Sequence, residues 1–410
     1  MKNIYSLLAF LYVFFVFTPS FGAVDIIGPQ WLIISLLNAL SLPLLFYNNS
    51  LLPALRSLLN IRAFYFYAAF ILTSIFSLIW AINIEIYFHD LFRVVTIFLS
   101  ILVFYTFLYN NHITFIRLSH LIVLSLSLEL FFIFKPLVEL FISNGSQSII
   151  GVEYIAAGFK GVTGNQNIAA ASIIIKLPFV FLLIHRTNYF AYLLLPLIFI
   201  ALIFLEARAS YVSTFILFII FLILLLVKRT KHLLIFNIFF LLSIIFSVGV
   251  TNIMSSEKIF DQEISSINIS NESSGNRFLL WKSALQYAVN NPLGCGLGNW
   301  KFESIPFWKS IGKGYLVPYH AHNDFLEYTA ELGFVGGLLY FFFFFFIVFA
   351  LFKGFIKTKS VEYICLLSCF AVYSVDASLN FPSERPIMQI MFVLITSCSL
   401  FFLKTSKLNE

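Results

Sequence analysis

The chain has 410 residues, of which 60% are hydrophobic and 11% are charged, and its mean hydropathy is +0.96. A soluble domain carries about a quarter charged residues, so this composition excludes an ordinary soluble enzyme. The net charge of +6 implies no nucleic-acid partner, because basic residues in short loops are what orientation in a membrane requires. Apolar runs of about 20 residues recur from end to end, and each can cross a bilayer as a helix. The predicted fold class is an all-α polytopic membrane protein, since a β-barrel would show short alternating segments.

Twelve membrane spans are predicted in chain order. The first of them has some features of a signal peptide, namely Lys2, an apolar stretch and then "SFGA". In a chain with many later spans, a first transmembrane helix is the simpler interpretation. The predicted spans are residues 4–21, 30–47, 63–82, 91–109, 118–141, 167–185, 189–206, 209–227, 233–250, 333–352, 360–378 and 387–404.

The spans divide the chain into three parts. Residues 1–250 hold spans one to nine, residues 251–332 form one large loop, and residues 333–410 hold spans ten to twelve and a tail. Basic residues collect in alternate loops, such as "KRTKH" and "KGFIKTK", whereas the short loops 22–29 and 83–90 hold no Lys or Arg. This asymmetry predicts that both termini are cytoplasmic and that the large loop faces outward.

The large loop itself has three sections. Its first section, 255–276, is polar and predicted to lie at the surface. In the next section Phe278, Trp281, Leu285 and Val289 recur at helical spacing, which predicts an amphipathic helix ending at a proline and a glycine-rich turn, "LGCGLGNW". The last section contains "HAHNDFLEYTAELGFVGG".

Two histidines precede a short polar helix in that last section. Asn323 or Asp324 is predicted to cap the helix, and Gly333 to end or bend it before the next span. One interpretation is an interfacial helix with a polar start. The other is that His322 is a general base, because imidazole titrates near neutral pH and accepts a proton from a hydroxyl without prior activation.

Two arginines are candidate anion ligands on the outer side. Arg208, in "FLEARASYVS", lies at the membrane face between two spans, where a guanidinium either snorkels to headgroups or grips a phosphate with two hydrogen bonds. Arg277 begins the loop helix. By itself it is a solvated charge, and it gains interest because it shares the loop with His322.

Other charged residues are scattered towards the same side. Lys176 lies inside a predicted span, where an ionisable residue is a functional hypothesis by default. No pair of carboxylates in a DxD motif, no phosphate-binding loop and no GxSxG motif is present, so the predicted chemistry uses no metal and no cofactor. Residues that would make an outer cavity cationic, or anchor the chain at the interface, are Arg93, Lys160, Asp376 and Arg385.

The histidine stretch resembles the signature of bacterial O-antigen ligases and the related polysaccharide polymerases and protein oligosaccharyltransferases. That signature is His, then Asn, Ser or Gln, then nine residues, then Gly-x-x-Gly. Here it reads His322, Asn323, residues 324–332, Gly333 and Gly336. "EARAS" and the Trp-containing loop helix are also similar to the family's, and the resemblance covers most of residues 160–400.

The resemblance implies a GT-C-like glycosyltransferase whose donor is a glycan on undecaprenyl diphosphate. Arg208 and Arg277 would grip the diphosphate, and His322 would activate an acceptor hydroxyl, which for a ligase belongs to lipid A–core. Asn323 would orient the imidazole or cap the helix, and His320, outside the signature, would have a secondary role in binding. Direct displacement would invert the anomeric centre.

Three alternatives stay open at this point. A repeat-unit polymerase and a protein O-oligosaccharyltransferase would use the same kind of donor with a different acceptor. A transporter or flippase would use Lys176, Asp376 and Pro178 along a substrate path. No paired broken spans mark two symmetric halves, and a transporter leaves the histidine motif unexplained.

Overall fold

The computed structural model describes residues 2–144, 159–186, 188–254, 272–307 and 319–405. Within these ranges the chain forms helices and 310 turns and no strand, so the predicted fold class, an all-α polytopic membrane protein, is confirmed. The helices are α1 Lys2–Phe14, α2 Ile27–Tyr47, α3 Leu51–Leu58, α4 Arg62–Phe76, α5 Ile84–Tyr109, α6 Phe115–Asn144, α7 Gln166–Ile174, α8 Leu177–His185, α9 Leu194–Phe204, α10 Arg208–Lys228, α11 Lys231–Met254, α12 Glu272–Asn290, α13 Trp300–Glu303, α14 Asp324–Thr358, α15 Val361–Leu379 and α16 Pro386–Thr405.

The apolar helices agree with the predicted spans. In the part of the chain that is described, ten segments are long and apolar enough to cross a bilayer, and Asn3–Phe17 and Tyr189–Phe204 are shorter apolar segments. Each of the twelve predicted spans overlaps one of these segments. How many of them cross the membrane, and the division into three parts, stay predictions.

The bundle is built around two segments that are largely buried, namely α16 and the consecutive helices α7 and α8. The long α14 packs against α4, α12 and α15, while α16 packs on α5. The outer helices keep apolar side chains exposed, for example Phe215 and Ile245, as expected where they meet acyl chains rather than water.

Helix α14 has a sharp bend at the predicted position. Gly333 has φ 69° and ψ −177°, a conformation open essentially only to glycine. A Cβ at this residue would overlap the carbonyl oxygen of Pro292. The bend separates the polar segment 324–332 from the apolar segment 334–358, and it coincides with the predicted start of the tenth span.

The predicted loop helix is confirmed as α12. Its predicted apolar stripe is mostly exposed, however, because the face that packs against the bundle consists of Leu280, Ala284, Tyr287 and Ala288. Of the polar section predicted before this helix, residues 255–271 lie outside the described residues. Residues 145–158 and 308–318 lie outside them as well.

The glycine-rich turn after α12 fastens the loop to the bundle. The backbone N–H of Cys295 donates to the carbonyl of Ala330 at 3.1 Å, and the Ile82 N–H donates to the Cys295 carbonyl at 3.3 Å. Gly294, with φ 78°, passes so close to α14 that a Cβ would overlap the carbonyl oxygen of Glu331. The loop is thereby held against the polar segment of α14 and the turn before α5.

Candidate active site

The two histidines lie in a tight turn braced by one carboxylate. Nδ1 of His320 lies 2.9 Å from Oε1 of the buried Glu327, whose Oε2 accepts from the Ala321 backbone N–H at 2.7 Å. His322 follows with φ 53°, a left-handed conformation that costs a non-glycine residue about 1–2 kcal/mol. Strain of this kind persists where the surroundings hold it in place, and it concentrates at active sites.

Two further side chains fix where α14 begins. Oδ1 of Asn323 accepts from the Leu326 N–H at 3.1 Å, which confirms Asn323 as the helix cap, and its Nδ2 donates to the Ser378 carbonyl at 3.2 Å. The Asp324 carboxylate accepts from the N–H and the hydroxyl of Ser383 at 3.1 and 2.9 Å. The histidine turn is therefore tied to the end of α15 and to the loop before α16.

Phe381, in the loop between α15 and α16, joins three of the predicted site residues. The His320 ring stacks on it with centroids 4.3 Å apart, and the His322 ring meets it edge-on at 5.0 Å. The guanidinium carbon of Arg385 lies 4.4 Å from the Phe381 centroid. Phe381 is therefore in contact with both histidine rings and with the Arg385 guanidinium.

Three arginines from separate segments of the chain come together beside this turn. Arg208 is the first residue of α10, Arg277 lies near the start of α12, and Arg385 directly precedes α16. Burial lowers the pKa of Arg277, and the positive charges of Arg208 and Arg385 lower it further, against the attraction of Asp376. A group of three guanidiniums with one carboxylate close by is an environment that an anion would stabilise.

Arg385 is buried and incompletely paired. Its Nη1 lies 4.0 Å from Oδ1 of Asp376, and among the described residues neither Nε nor Nη1 has a hydrogen-bond partner. Burial lowers its pKa, an effect that Asp376 opposes. Unsatisfied donors on a buried guanidinium are costly unless a ligand uses them.

The electrostatics of the two histidines differ. Burial lowers the pKa of His322 to about 4, with Arg277 as the next cause. Burial also acts to lower the pKa of His320, but the bonded Glu327 carboxylate outweighs it and the net shift is upward. Nδ1 of His322 has no partner in the described part of the chain. The pair therefore combines a neutral imidazole with one whose pKa a neighbouring carboxylate raises.

Two residues predicted for the cationic cavity are placed differently. Arg93 makes an ion pair with Glu384, lies 3.3 Å from Asp90, and stands 5.7 Å from the Trp31 ring centre. Lys160 is exposed before a 310 turn that packs on α6 and α7, and no described contact ties it to His322. The structure therefore gathers the two histidines with Arg208, Arg277 and Arg385, and gives Arg93 carboxylate partners of its own.

Sequence reasoning missed Phe381 and Glu327. Phe381 is one phenylalanine among 53 in the chain, and no periodicity marks it. Glu327 lies seven residues after His320 and five after His322, and it is one of only 19 acidic residues. Because acidic residues are so scarce, a carboxylate this close to the two histidines could have been predicted to contact one of them.

Comparison with known proteins bears on the same region. Residues 191–341 match the family model described as O-antigen ligase, which confirms the resemblance read from the histidine motif. The matched region includes Arg208, Arg277 and His322, whereas Phe381 and Arg385 lie beyond it. No curated protein matches the chain.

Proposed function

We propose that this chain, whose residues 191–341 match the family model described as O-antigen ligase, transfers a glycan from undecaprenyl diphosphate to a hydroxyl of lipid A–core. The observation that supports this most is the meeting of one neutral imidazole, His322, with three guanidiniums from separate segments. A base beside an anion site is what such a transfer needs, because a hydroxyl must lose a proton while a diphosphate leaves.

In the proposed step the acceptor oxygen attacks the anomeric carbon of the donor sugar. Its proton passes to the ring of His322, which is neutral before the reaction. The bond from the anomeric carbon to the diphosphate oxygen breaks, and the diphosphate leaves with the electron pair. One direct displacement inverts the anomeric centre.

The arginines would stabilise the leaving group. A guanidinium donates two parallel hydrogen bonds to phosphate oxygens. Donors that the fold already holds in position stabilise the negative charge that develops on the leaving diphosphate in the transition state. Arg208 and Arg277 are assigned to the diphosphate, and the incompletely paired Arg385 joins them. The protonated form of His320 would add positive charge beside Phe381.

The remaining predicted residues receive different roles. Asn323 orients the histidine turn through its two hydrogen bonds. Arg93, already paired with carboxylates, is better suited to holding α5 to the loop before α16, and exposed Lys160 would meet donor or acceptor only at the rim. We further propose that the protein lies in the bacterial inner membrane, with this site facing the periplasm and both termini in the cytoplasm.

The test uses the purified full chain in lipid nanodiscs with an undecaprenyl-diphosphate-linked glycan and lipid A–core. We expect His322→Asn to abolish transfer, because asparagine tolerates the left-handed backbone but cannot serve as the base. The matched control is His120→Ala, an exposed histidine of α6, which should transfer normally. Full transfer by a folded His322→Asn variant would refute the general-base role.

A deletion strain distinguishes a ligase from a polymerase. Bare core, with long polymer accumulating on the lipid carrier, is the expected result for a ligase. Core bearing a single repeat would instead identify a polymerase. Wild type should restore the ladder of surface glycolipids, and His322→Asn at a normal protein level should not.

A further inference from the structure

Helix α12 has an exposed apolar stripe on the side away from the bundle. Phe278, Leu285 and Val289 are 53%, 48% and 60% exposed, and Leu293, just beyond the helix, is 65% exposed. The spacing of seven and then four residues keeps the three helical positions within a narrow sector. The buried face of the same helix is already used for packing on α14, so the stripe is a second apolar surface.

The stripe ends where the membrane-spanning part of α14 begins. The turn after α12 is bonded to α14 just before the bend, since the Gly296 N–H donates to the Glu331 carbonyl at 2.8 Å. A Cβ on Gly333 would lie about 3.0 Å from Cα of Leu293. The first exposed residues past the bend, including Val335 at 63%, are apolar. The stripe thus continues the surface that α14 presents to lipid.

The charges of the helix fit a lipid surface too. Helix α12 contains Arg277 and Lys282, and its acidic residue, Glu272, lies at the first position, away from the stripe. Lys282 is exposed and stands within the stripe, four residues after Phe278 and three before Leu285. A lysine in that position extends its ammonium to headgroup phosphates while its methylenes cover apolar surface.

We propose that α12 lies along the bilayer surface at the end of the bundle that holds the site. Its stripe enters the boundary between headgroups and acyl chains, and Lys282 contacts anionic headgroups. The lipid surface is thereby the partner that covers this face. The indole of Trp281 donates to the carbonyl of His322 at 3.4 Å. The docked helix therefore also sets how far the histidine turn lies from the bilayer surface. This proposal does not depend on which reaction the site performs.

Nitroxide labels on the full chain in nanodiscs of phosphatidylcholine and phosphatidylglycerol test the docking. Labels go on Leu285→Cys and Val289→Cys, since the native cysteines are all buried. Leu338→Cys serves as the lipid-facing reference and Lys359→Cys as the water-facing one. We expect oxygen to enhance the relaxation of both stripe labels as much as it does for the lipid-facing reference. A water-soluble nickel chelate should have little effect on either label.

Two other outcomes would overturn the proposal. Nickel access equal to that of the water reference would mean that the stripe faces solvent. Shielding from both reagents would mean that another part of the chain, or a second copy, covers it. In addition, the pair Leu285→Glu and Val289→Glu should raise nickel access several-fold at a label on Phe278→Cys. The matched change Gln286→Glu, outside the stripe, should leave that access unchanged.

Discussion

The ring of His322 is surrounded by more positive than negative charge. Burial is the largest cause of its low pKa of about 4, followed by Arg277 and His320, with a smaller effect of Arg385. Glu327 opposes them. The ring is therefore neutral at pH 7. Because the unfolded chain binds this proton near pH 6.5 and the folded site only near pH 4, the folded state loses stability as the pH falls through that window.

Removing Arg277 should make the His322 ring more basic. In Arg277→Gln one nearby positive charge is lost, so we expect the pKa of His322 to rise from about 4 toward its ordinary value of 6.5. The ring signal in a histidine-labelled sample, assigned by its loss in His322→Asn, reports this pKa whether or not the variant is active. The control is Lys282→Gln, an exposed cation of the same helix. An unchanged titration in Arg277→Gln would show that the guanidinium does not act on the ring.

A diphosphate bound to the arginines would raise the pKa of His322, as the substitution Arg277→Gln is expected to do. Two or more negative charges beside Arg277 and Arg385 would offset the guanidiniums and raise the basicity of the imidazole when the donor is present. The proposed base would thus be weakest in the empty site and would become stronger when the substrate binds. Such coupling would limit proton uptake by the site between turnovers.

At the scale of residues, the motif predicts a centre for the candidate site but not the side chains that pack around it. His322, Arg208 and Arg277 were identified because they stand in recognisable local sequence. Phe381 follows His320 by some sixty positions in sequence, and its contact with both histidines depends on how α15 returns beside α14. Local pattern carries no information on such a contact.

Helix α14 works as two rigid pieces joined at one glycine. The piece before Gly333 carries the histidine turn and its braces, and the piece after it is anchored among α4, α15 and α16. The glycine of the signature is thus explained by backbone geometry rather than by contact with a substrate.

Replacing that glycine should damage both stability and transfer. Gly333→Ala places a Cβ against the Pro292 carbonyl and forces a backbone conformation that costs about 1–3 kcal/mol. We expect a lower melting temperature in nanodiscs and loss of transfer, because the polar segment shifts relative to Arg277. The control is Gly249→Ala, whose Cβ would meet no atom within 4 Å. Wild-type melting and transfer in Gly333→Ala would mean that the bend is not required.

Helix α12 shows what periodicity does and does not predict. The spacing of Phe278, Leu285 and Val289 correctly predicted a helix with these residues on one side. It did not predict that Leu280 and Ala284 would pack inward instead. A helical pattern shows which residues share a face, but in a membrane protein both protein and lipid can cover an apolar face.

The whole molecule brings distant loops to one end of the bundle. The site draws on the start of α10, the start of α12, the turn before α14 and the loop between α15 and α16. The glycine-rich turn and the bend in α14 keep these pieces in contact, and the helices beneath them supply a rigid base. Three guanidiniums repel one another, so they stay close together only on segments that are held in place, as these helix ends and turns are.

A buried ion pair inside the bundle favours a structural role for Lys176 over a place on a substrate path. Its Nζ pairs with Glu129 and donates to Oγ of Ser172 at 2.9 Å, while Ser172 donates to Glu129 at 2.8 Å. The pair joins α6 to the break between α7 and α8, just before Pro178. Such a closed network is typical of structural support, whereas a transport path needs charges that a substrate can reach.

The two interpretations of Lys176 predict opposite results for a paired substitution. Glu129→Leu alone strands a buried ammonium and should cost about 3–5 kcal/mol of stability, whereas Glu129→Leu with Lys176→Met should recover most of it. If the pair is structural, the double variant transfers glycan at the wild-type rate. The exposed pair of Lys135 and Glu139, on the same helix, is the control, and Glu139→Leu should change little. A double variant that melts like wild type yet has lost glycan transfer would mean that Lys176 has a functional role beyond structural support.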